Sequence, residues 1–319
     1  MLNNQLVQNN LLNKKPKIYI AGSDSVVGKN IFDKLLLQGK YNIVATTHRE
    51  LDLTRQREVE EFFEHEEIDY VFLLAAYARD VIDNKKKPFL NYLENSIIQN
   101  NIFSCCNKYN IKRLIYFSSD SALSDIQGKI LTEDDLLTAN LPKHFEPYAL
   151  AKLCGTKLCN YYNIEVNNTC FVALLPCIIY GGLKVPSLIF SLIKDFHKAK
   201  IEKHGSVVLW GSAETKYQLL HFSDVADAAI LLMNEIKIDD IYIVSSYAYT
   251  KKQVAELIKK IIGYTGCICF DETKLTRSTM RETSSIKLRN FGWSQRIDLE
   301  TGLRSMYELF LKNIKLFFP

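Results

Sequence analysis

The stretch that decides the fold is Lys17-Ile18-Tyr19-Ile20-Ala21-Gly22-Ser23-Asp24-Ser25-Val26-Val27-Gly28, in which a short apolar run ends in glycine. A helical apolar pattern over residues 31–37 follows and ends at Gly39, and residues 42–47 form the next apolar run. This order predicts a strand, a tight turn, a helix and a second strand. The two glycines allow the turn, and the helix N-terminus can then face a pyrophosphate. Ser25 stands where GxxGxxG has its middle glycine, so the position in the chain supports this interpretation more than the motif does.

Two basic residues, His48 and Arg49, follow the second predicted strand. An acidic residue at this place would bind the ribose hydroxyls of NAD, whereas a basic residue accommodates the 2′-phosphate of NADP. The pair therefore favours NADP, and an arginine in a solvated loop is the alternative interpretation.

The alternation of strands and helices continues along the first half of the chain. Residues 69–76 and 112–117 are apolar enough for buried parallel strands, and residues 58–67 and 88–109 have a helical pattern. The strand at 112–117 delivers Ser119 to its carboxyl end, where ligands gather in such sheets. The sequence thus predicts an α/β fold, a Rossmann-type doubly wound parallel sheet.

Tyr148 and Lys152 lie four residues apart in a helix that begins near Pro147, since proline suits the first helical turn. Residues at this spacing share one helix face, so the phenol and the ammonium can project into one cleft. A nearby cation lowers the pKa of a phenol, which a group that exchanges protons near neutrality requires. The hydroxyl of Ser119 is the candidate to hold a substrate oxygen against that phenol. Many solvent-exposed helices have a tyrosine and a lysine four residues apart. The spacing therefore does not establish this hypothesis by itself, and the hypothesis depends on the other motifs in the chain.

The chain divides by pattern into three parts. Residues 1–15 form a polar, asparagine-rich tail that we expect to be flexible. Residues 16–176 are predicted to form the NADP-binding Rossmann domain, with a return segment at about 206–235. Residues 177–319 are predicted to form mainly a smaller α/β domain that caps the substrate.

The composition is that of an ordinary globular protein. Hydrophobic residues make up 47% of the 319 residues, and the formal charge of +4 gives no ground for nucleic-acid binding. None of the eight cysteines forms a CxxC pair, so we expect no metal site and a reducing compartment. No stretch approaches about eighteen apolar residues, and the N-terminus lacks the apolar core of a signal peptide. We therefore expect a cytoplasmic protein that does not bind membranes.

Several motifs in order resemble the extended short-chain dehydrogenase/reductases. They are Gly22…Gly28, Ala75-Ala76, Ser119, Tyr148-x3-Lys152 and Leu219-Leu220-His221-Phe222-Ser223-Asp224. Within that group, residues 17–313 look most similar to the GDP-L-fucose synthase family, the GDP-4-keto-6-deoxymannose epimerase-reductases. The matching stretches include Arg49-Glu50-Leu51-Asp52-Leu53, Glu146-Pro147-Tyr148-Ala149-Leu150-Ala151-Lys152, Leu158-Cys159-Asn160-Tyr161-Tyr162, Trp210-Gly211-Ser212 and Phe291-Gly292-Trp293.

The resemblance implies NADPH as the cofactor and a GDP-linked 4-keto sugar as the substrate. Tyr148 would give its proton to the carbonyl oxygen as hydride reaches C4, and Ser119 would hydrogen-bond the developing alkoxide. Lys152 would hold the nicotinamide ribose and lower the pKa of the tyrosine. The resemblance places the cofactor against Gly22, Ser25, Val26, Val27, Gly28, His48, Arg49, Asp52, Leu53, Leu74, Ala75, Ala76, Lys152, Pro176 and Ile179. It places the substrate against Ser121, Ile178, Ser187, Trp210, Lys216 and Tyr217.

The resemblance also implies a homodimer, built by the predicted helices at about 88–109 and 147–163 in a two-fold four-helix interface. Apolar residues lie around most of the surface of these helices, which suits such an interface. They are Ile97, Ile98, Ile102 and Phe103 on one helix and Leu153, Leu158 and Tyr162 on the other.

The chain departs from the family at the positions that carry epimerase chemistry. The family exchanges the protons at C3 and C5 with a cysteine and a histidine, and this chain has Ser121 and Ser187 there. A serine hydroxyl is a poor proton shuttle at neutral pH. We expect Asp120, the one nearby carboxylate, to point away from the site because successive strand residues face opposite sides.

Further departures concern the sugar pocket. Lys216-Tyr217 replaces a substrate-contacting arginine, and Ile178 replaces an asparagine. The loop between Gly181 and Pro186 is shortened, which leaves room for a sugar larger than fucose, such as a 6-deoxy-heptose.

The sequence therefore favours a C4 reductase of a GDP-linked 4-keto-6-deoxy sugar for surface polysaccharide biosynthesis, without epimerase activity. One alternative is a nucleotide-sugar epimerase or 4,6-dehydratase that retains NAD. Ser119-Asp120 resembles the Thr-Asp of dehydratases, but Ser121 follows where they have glutamate. The other alternative is a catalytically degenerate partner protein that binds a nucleotide.

Overall fold

The computed structural model describes residues 15–77, 86–126, 128–143, 145–168, 170–183, 187–235, 238–274 and 282–318, so most of the predicted tail lies outside it. The strands in these ranges are β1 (Lys17–Ala21), β2 (Asn42–Thr46), β3 (Tyr70–Leu73), β4 (Arg113–Phe117), β5 (Ile130–Leu131), β6 (Phe171–Pro176), β7 (Ile178–Tyr180), β8 (Ser206–Trp210), β9 (Lys216–His221), β10 (Ile241–Val244), β11 (Ala248–Thr250), β12 (Cys267–Asp271) and β13 (Glu282–Thr283). The α-helices are α1 (Val26–Gln38), α2 (Gln56–Glu66), α3 (Pro88–Lys108), α4 (Glu146–Val166), α5 (Leu188–Ile201), α6 (Phe222–Asn234), α7 (Lys251–Ile262), α8 (Ile286–Asn290) and α9 (Leu299–Lys312). Short 3₁₀ turns cover Asp120–Ala122, Glu133–Asp135 and Ile314–Leu316.

Six strands form one parallel sheet in the order β10-β6-β4-β3-β1-β2. β1 pairs with β2 on one side and with β3 on the other, so the direction of winding reverses there. In open parallel sheets, ligands bind outside the carboxyl ends of the strands beside such a reversal. The predicted Rossmann-type fold class is confirmed.

Both faces of the large sheet are covered, and β1 shows why its sequence is apolar throughout. Ile18 and Ile20 belong to the core that includes residues of α1 and α6. Tyr19 and Ala21 belong to the core on the opposite face, which includes residues of α2, α3 and α4. Successive strand residues face opposite sides, so a strand buried on both faces needs apolar residues at every position.

The C-terminal part adds two smaller sheets and a third core. One sheet has the order β11-β9-β7, and the other pairs β8 with β12. Helices α5, α7 and α9 contribute to the core beside them, which includes Phe196, Leu219, Ile258 and Phe310. The division of the chain into domains stays a prediction.

From the return segment expected at about 206–235, α6 packs on the large sheet and β8 lies in a small sheet, while the strand that pairs with β6 in the large sheet is β10. The burial patterns give the reason. Alternate residues of β8 are buried, as in a strand with one solvated face, whereas all four residues of β10 are buried.

Candidate active site

Gly22 ends β1 in a backbone conformation that glycine adopts readily, with φ of +96°. A Cβ added to Gly22 would lie 2.7 Å from the backbone nitrogen of Ala75, so the ends of β1 and β3 approach closely here. Ser25 is the N-cap of α1: its Oγ donates to the Gly22 carbonyl (2.8 Å) and accepts from the Gly28 N–H (3.0 Å). The serine in the glycine motif therefore closes the turn and leaves the helix N-terminus at the carboxyl end of the sheet.

A cavity of about 640 Å³ lies at the carboxyl ends of β1, β2, β3, β4 and β6. Its volume falls within the range of roughly 300–1,000 Å³ that is usual for small-molecule sites. The predicted site residues that line it are Gly22, Ser25, Val27, His48, Asp52, Leu53, Leu74, Ala75, Ala76, Ser119, Tyr148, Lys152, Pro176, Ile178 and Ile179. It is also lined by residues that the sequence analysis missed: Asp24, Thr46, Thr47, Leu51, Tyr77, Ile98, Phe117, Ser118, Asp120 and Cys177.

A sequence signal exists for most of the missed residues, because they stand at or just beyond a strand end. Thr46 and Thr47 end β2, Asp120 follows the candidate serine, and Cys177 follows β6. Ile98 gives no such signal, since it reaches the cavity from the middle of α3.

Helix α4 brings Tyr148 and Lys152 to the cavity, and Pro147 stands in its first turn as predicted. Lys152 is only 3% exposed. Its Nζ donates to the carbonyl oxygen of Phe117 (2.7 Å) at the end of β4 and lies 5.8 Å from the centroid of the Tyr148 ring. The four-residue spacing therefore places both side chains at the same strand end.

The electrostatics of this pair differ from the sequence expectation. Burial lowers the pKa of Lys152 to about 7. Burial and the negative charge of Asp120 raise the pKa of Tyr148 above its ordinary value. The expectation that the pKa of Tyr148 is lowered is wrong for this arrangement, because burial disfavours the charged forms of both groups and the Asp120 carboxylate disfavours the phenolate further.

Lys152 makes the stability of the folded protein depend on pH. Between about pH 7 and about pH 9 the unfolded chain binds a proton at this lysine that the folded chain does not bind, so stability should rise with pH. The rise from this group should reach at most about 1.4 kcal/mol per pH unit, and Lys152→Met should abolish it. Urea unfolding of both proteins across this interval measures the effect, and identical slopes would contradict the prediction.

Ser119 lies in a small polar cluster at the start of the 3₁₀ turn Asp120–Ala122. Its Oγ donates to Oδ1 of Asp120 (3.3 Å) and accepts from Oγ of Ser121 (2.9 Å). The expectation that Asp120 points away is wrong, since Asp120 lines the cavity and contacts Ser119. The alternation rule does not apply because β4 ends at Phe117 and the chain turns helically after Ser119.

Three predicted cofactor residues do not line the cavity: Val26, Gly28 and Arg49. A Cβ added to Gly182 would lie 2.5 Å from the Val26 side chain, so Val26 packs against Gly182. Arg49 is exposed, and it follows His48, which does line the cavity.

Five predicted substrate residues also lie outside the cavity wall, among them Ser121, whose Oγ donates to Ser119. Ser187 is the N-cap of α5, and Tyr217 is 5% exposed in the third core. Trp210 is 61% exposed on β8, and Lys216 forms an ion pair with Glu282. Their contacts with a substrate stay predictions.

The parallel sheet, the glycine turn and the cavity at the strand ends define a Rossmann-type protein with a site of dinucleotide size. Residues 18–245 match the NAD dependent epimerase/dehydratase family, and the chain belongs to this family. The resemblance to the extended short-chain dehydrogenase/reductases is therefore confirmed.

Comparisons with individual proteins show which kinds of family member this chain is similar to. The chain is 33% identical over 307 residues to GDP-L-fucose synthase 1 of Arabidopsis thaliana, covering 94% of this chain and 95% of that protein. A GDP-mannoheptose C4 reductase from Campylobacter jejuni, solved with NADP bound, has a TM-score of 0.85 at 29% identity, covering 93% of this chain and 98% of that one. A GDP-D-glycero-L-gluco-heptose synthase from the same organism, solved in the presence of NADPH, has a TM-score of 0.85 at 26% identity, covering 94% and 99%.

The eight cysteines are free thiols, and Cys267 and Cys269 on β12 are exposed. The described residues contain no group of three or more His, Cys, Asp or Glu side chains placed to hold a metal ion. None of the described helices has the length and apolar character to cross a membrane. The cytoplasmic location stays a prediction.

Proposed function

We propose that this protein is an NADPH-dependent reductase that acts on C4 of a GDP-linked 4-keto-6-deoxy sugar, a hexose or a heptose, without C3/C5 epimerase activity. The observation that carries the proposal is that Ser119, Tyr148 and Lys152 line one cavity with the glycine turn after β1. The relatives support the substrate class, since their names refer to GDP-linked sugars. The two solved neighbours, described with NADP or NADPH, support the cofactor.

The residues present fit a bound dinucleotide. Gly22 lets the ends of β1 and β3 approach closely at the cavity, and the N-terminus of α1 beside it suits a pyrophosphate. The end of β2 offers His48 and Arg49 to a 2′-phosphate. When bound, NADPH supplies the hydride, and the protein supplies orientation and proton transfer.

Tyr148 is the general acid in this proposal. Its hydroxyl gives a proton to the carbonyl oxygen at C4, and its raised pKa keeps it protonated at neutral pH. Ser119 turns its hydroxyl to the same oxygen and stabilises the developing negative charge. Lys152, buried beside the Tyr148 ring, holds the nicotinamide ribose and contributes positive charge when it is protonated.

We infer the absence of epimerase activity from the residues at the two positions where the family has a cysteine and a histidine. Ser121 donates to Ser119 and Ser187 caps α5, and neither hydroxyl exchanges protons near neutral pH. Asp120 adds one carboxylate to the cavity. Epimerisation beside a ketone needs a second group on the opposite face of the ring, so one carboxylate is insufficient.

The test is incubation of the enzyme with NADPH and a panel of GDP-, dTDP- and UDP-linked 4-keto sugars in D₂O, followed by NMR of the products. We expect reduction at C4 of a GDP-linked sugar, with C3 and C5 unchanged in configuration and free of deuterium. A no-enzyme control corrects for spontaneous exchange. Enzyme-dependent deuterium at C3 or C5 contradicts the lack of epimerase activity, and no turnover of any GDP-linked sugar contradicts the reductase assignment.

Arg49→Ala should reduce the preference for NADPH over NADH. If Arg49 makes a charge-assisted bond to the 2′-phosphate, its loss should weaken NADPH binding by about 1–3 kcal/mol and leave NADH binding unchanged. Arg57→Ala is the matched control, since Arg57 is 91% exposed on α2 and pairs with Glu61. Dissociation constants for both cofactors measure the effect. Equal weakening of NADPH and NADH binding, or tighter NADH binding by the wild type, would contradict the assignment.

The expected homodimer needs a different set of contact residues. Most of the apolar residues predicted for the interface are used within the chain: Ile98, Ile102, Phe103 and Leu153 are buried in the core. They are buried because α3 and α4 both pack against the large sheet. The apolar side chains that the two helices expose instead include Phe89 (70%), Tyr161 (59%) and Ile164 (69%).

We propose a homodimer through the exposed apolar side chains of α3 and α4, and Tyr161→Glu should weaken it. A charge placed in an apolar interface loses its hydration, so the variant should be monomeric at a concentration where the wild type is dimeric. Leu37→Glu is the control, because Leu37 is 87% exposed on α1, which packs on the other side of the large sheet from α3 and α4. Light scattering at micromolar concentration measures the masses. A monomeric wild type overturns the proposal, as does dimerisation of the Tyr161 variant equal to that of the wild type.

A further inference from the structure

Ser119 takes part in a set of hydrogen bonds that determines the direction in which its hydroxyl proton points. Ser119 Oγ donates to Oδ1 of Asp120 (3.3 Å) and accepts from both the hydroxyl (2.9 Å) and the backbone N–H (3.2 Å) of Ser121. A serine hydroxyl carries a single proton. The proton of Ser119 is therefore directed to the Asp120 carboxylate in this arrangement.

Asp120 also acts on the proton donor. It lines the same cavity as Tyr148, and its charge raises the pKa of Tyr148 in addition to the effect of burial. Lys152 lies beside the Tyr148 ring, with its Nζ donating to the carbonyl oxygen of Phe117 (2.7 Å), and it acts in the opposite sense when it is protonated. The other titratable groups in the described ranges that line the cavity or interact with Tyr148 are Tyr116, Asp24, His48, Asp52, Tyr77 and Cys177.

We propose that Asp120 is a positioning residue that holds Tyr148 in its neutral, proton-donating form and holds the hydroxyl of Ser119 until that hydroxyl turns to the substrate oxygen. This inference rests on the proposed function. During reduction the O–H bond of Tyr148 breaks, a new O–H bond forms on the carbonyl oxygen of the sugar, and hydride adds to C4. Tyr148 is left as a phenolate, and a proton from solvent restores the phenol.

The carboxylate shifts the pH range in which Tyr148 can donate or accept the proton. Like charges repel, so Asp120 disfavours the phenolate that remains after reduction. Oxidation of the sugar alcohol starts from that phenolate, so the same carboxylate moves oxidation to higher pH. A protonated Lys152 favours the phenolate, and Asp120 counters it.

The test compares the wild type with Asp120→Asn, which removes the charge but keeps an oxygen that accepts from Ser119, and with Asp120→Glu, which keeps the charge. Asp134→Asn is the control for loss of a surface carboxylate, since Asp134 is exposed and lies outside the cavity. The measurements are pH profiles of kcat/KM for reduction with NADPH and for oxidation with NADP⁺. Thermal unfolding checks that each variant is folded, and Asp120→Ser replaces the asparagine variant if that one does not fold.

We expect the alkaline limb of the reduction profile to move to lower pH by about one unit or more in Asp120→Asn. The acidic limb of the oxidation profile should move in the same direction, and Asp120→Glu, which keeps the charge, should leave both limbs near their wild-type pH. An unchanged limb overturns the proposal. A loss of kcat/KM that is equal at every pH also overturns it, because that result indicates a structural role.

A second readout separates this inference from the proposed function. Ultraviolet difference titration against the Tyr148→Phe variant follows the Tyr148 phenolate without any sugar substrate. Asp120→Asn should form the phenolate at lower pH than the wild type, whatever sugar the enzyme uses. If the wild type reduces no GDP-linked sugar but the phenolate shifts as expected, the proposed function fails and the electrostatic role of Asp120 stands. If the phenolate does not shift, the role of Asp120 fails.

Discussion

Tyr148→Phe should lower kcat by about 10²–10⁴-fold, which is the usual contribution of a general acid. The phenyl ring keeps the packing of Tyr148 in the cavity, including its place 5.8 Å from the Nζ of Lys152, and only the hydroxyl group is lost. NADPH affinity should therefore change little. Single-turnover rates with the GDP-linked 4-keto sugar, together with the dissociation constant of NADPH, separate the two effects.

Tyr161→Phe is the matched control for this change. Tyr161 lies on the same helix and is 59% exposed, so removal of its hydroxyl should leave kcat unaltered. The role of Tyr148 as proton donor is refuted if Tyr148→Phe turns over at the wild-type rate. A loss of NADPH binding as large as the loss in kcat would instead assign the hydroxyl to the cofactor site.

Gly22→Ala should destabilise the protein by about 2–5 kcal/mol, the sum of a left-handed backbone penalty and of overpacking. The added Cβ would stand 2.7 Å from the nitrogen of Ala75, a backbone atom that cannot move without shifting the end of β3. The same shift would displace the N-terminus of α1, so NADPH binding should weaken as well. Urea unfolding and cofactor titration measure the two effects.

Gly39→Ala separates the backbone penalty from the overpacking that together destabilise Gly22→Ala. Gly39 ends α1 with φ of +62°, and a Cβ there would meet nothing within 4 Å. Its replacement should cost only the backbone penalty, about 1–2 kcal/mol, and leave NADPH binding intact. If Gly22→Ala and Gly39→Ala lower the free energy of unfolding equally, the contact between the added Cβ and the end of β3 carries no steric cost at Gly22.

The sequence by itself determined the fold class, because its signals are local. A strand buried on both faces is apolar at every position, as in Lys17–Ala21, and the glycines mark where the chain must turn. The four-residue spacing of Tyr148 and Lys152 places them on one face of any helix, and the helix lies at Glu146–Val166. Ser119 could be assigned because the residues after a parallel strand face the ligand crevice.

The wall of the candidate site was predicted well where it comes from strand ends and poorly elsewhere. Gly22, Ala75 and Pro176 follow this rule and line the cavity. Ile98 comes from a helix, and Trp210 lies on a strand of a small sheet, so their positions depend on how distant elements pack. No periodicity in the sequence contains that information.

The tertiary structure alone decided the electrostatics of the site and the pairing of the later strands. The chain turns helically after Ser119, which brings the Asp120 carboxylate into the cavity where strand alternation predicts the opposite. Burial then raises the pKa of Tyr148 although a lysine lies one helical turn away. The physical reason is common to these cases: the energy of a charge depends on every group around it, and β-strand partners are chosen across long separations in sequence. Local pattern therefore specifies which elements form, and packing specifies what surrounds each side chain.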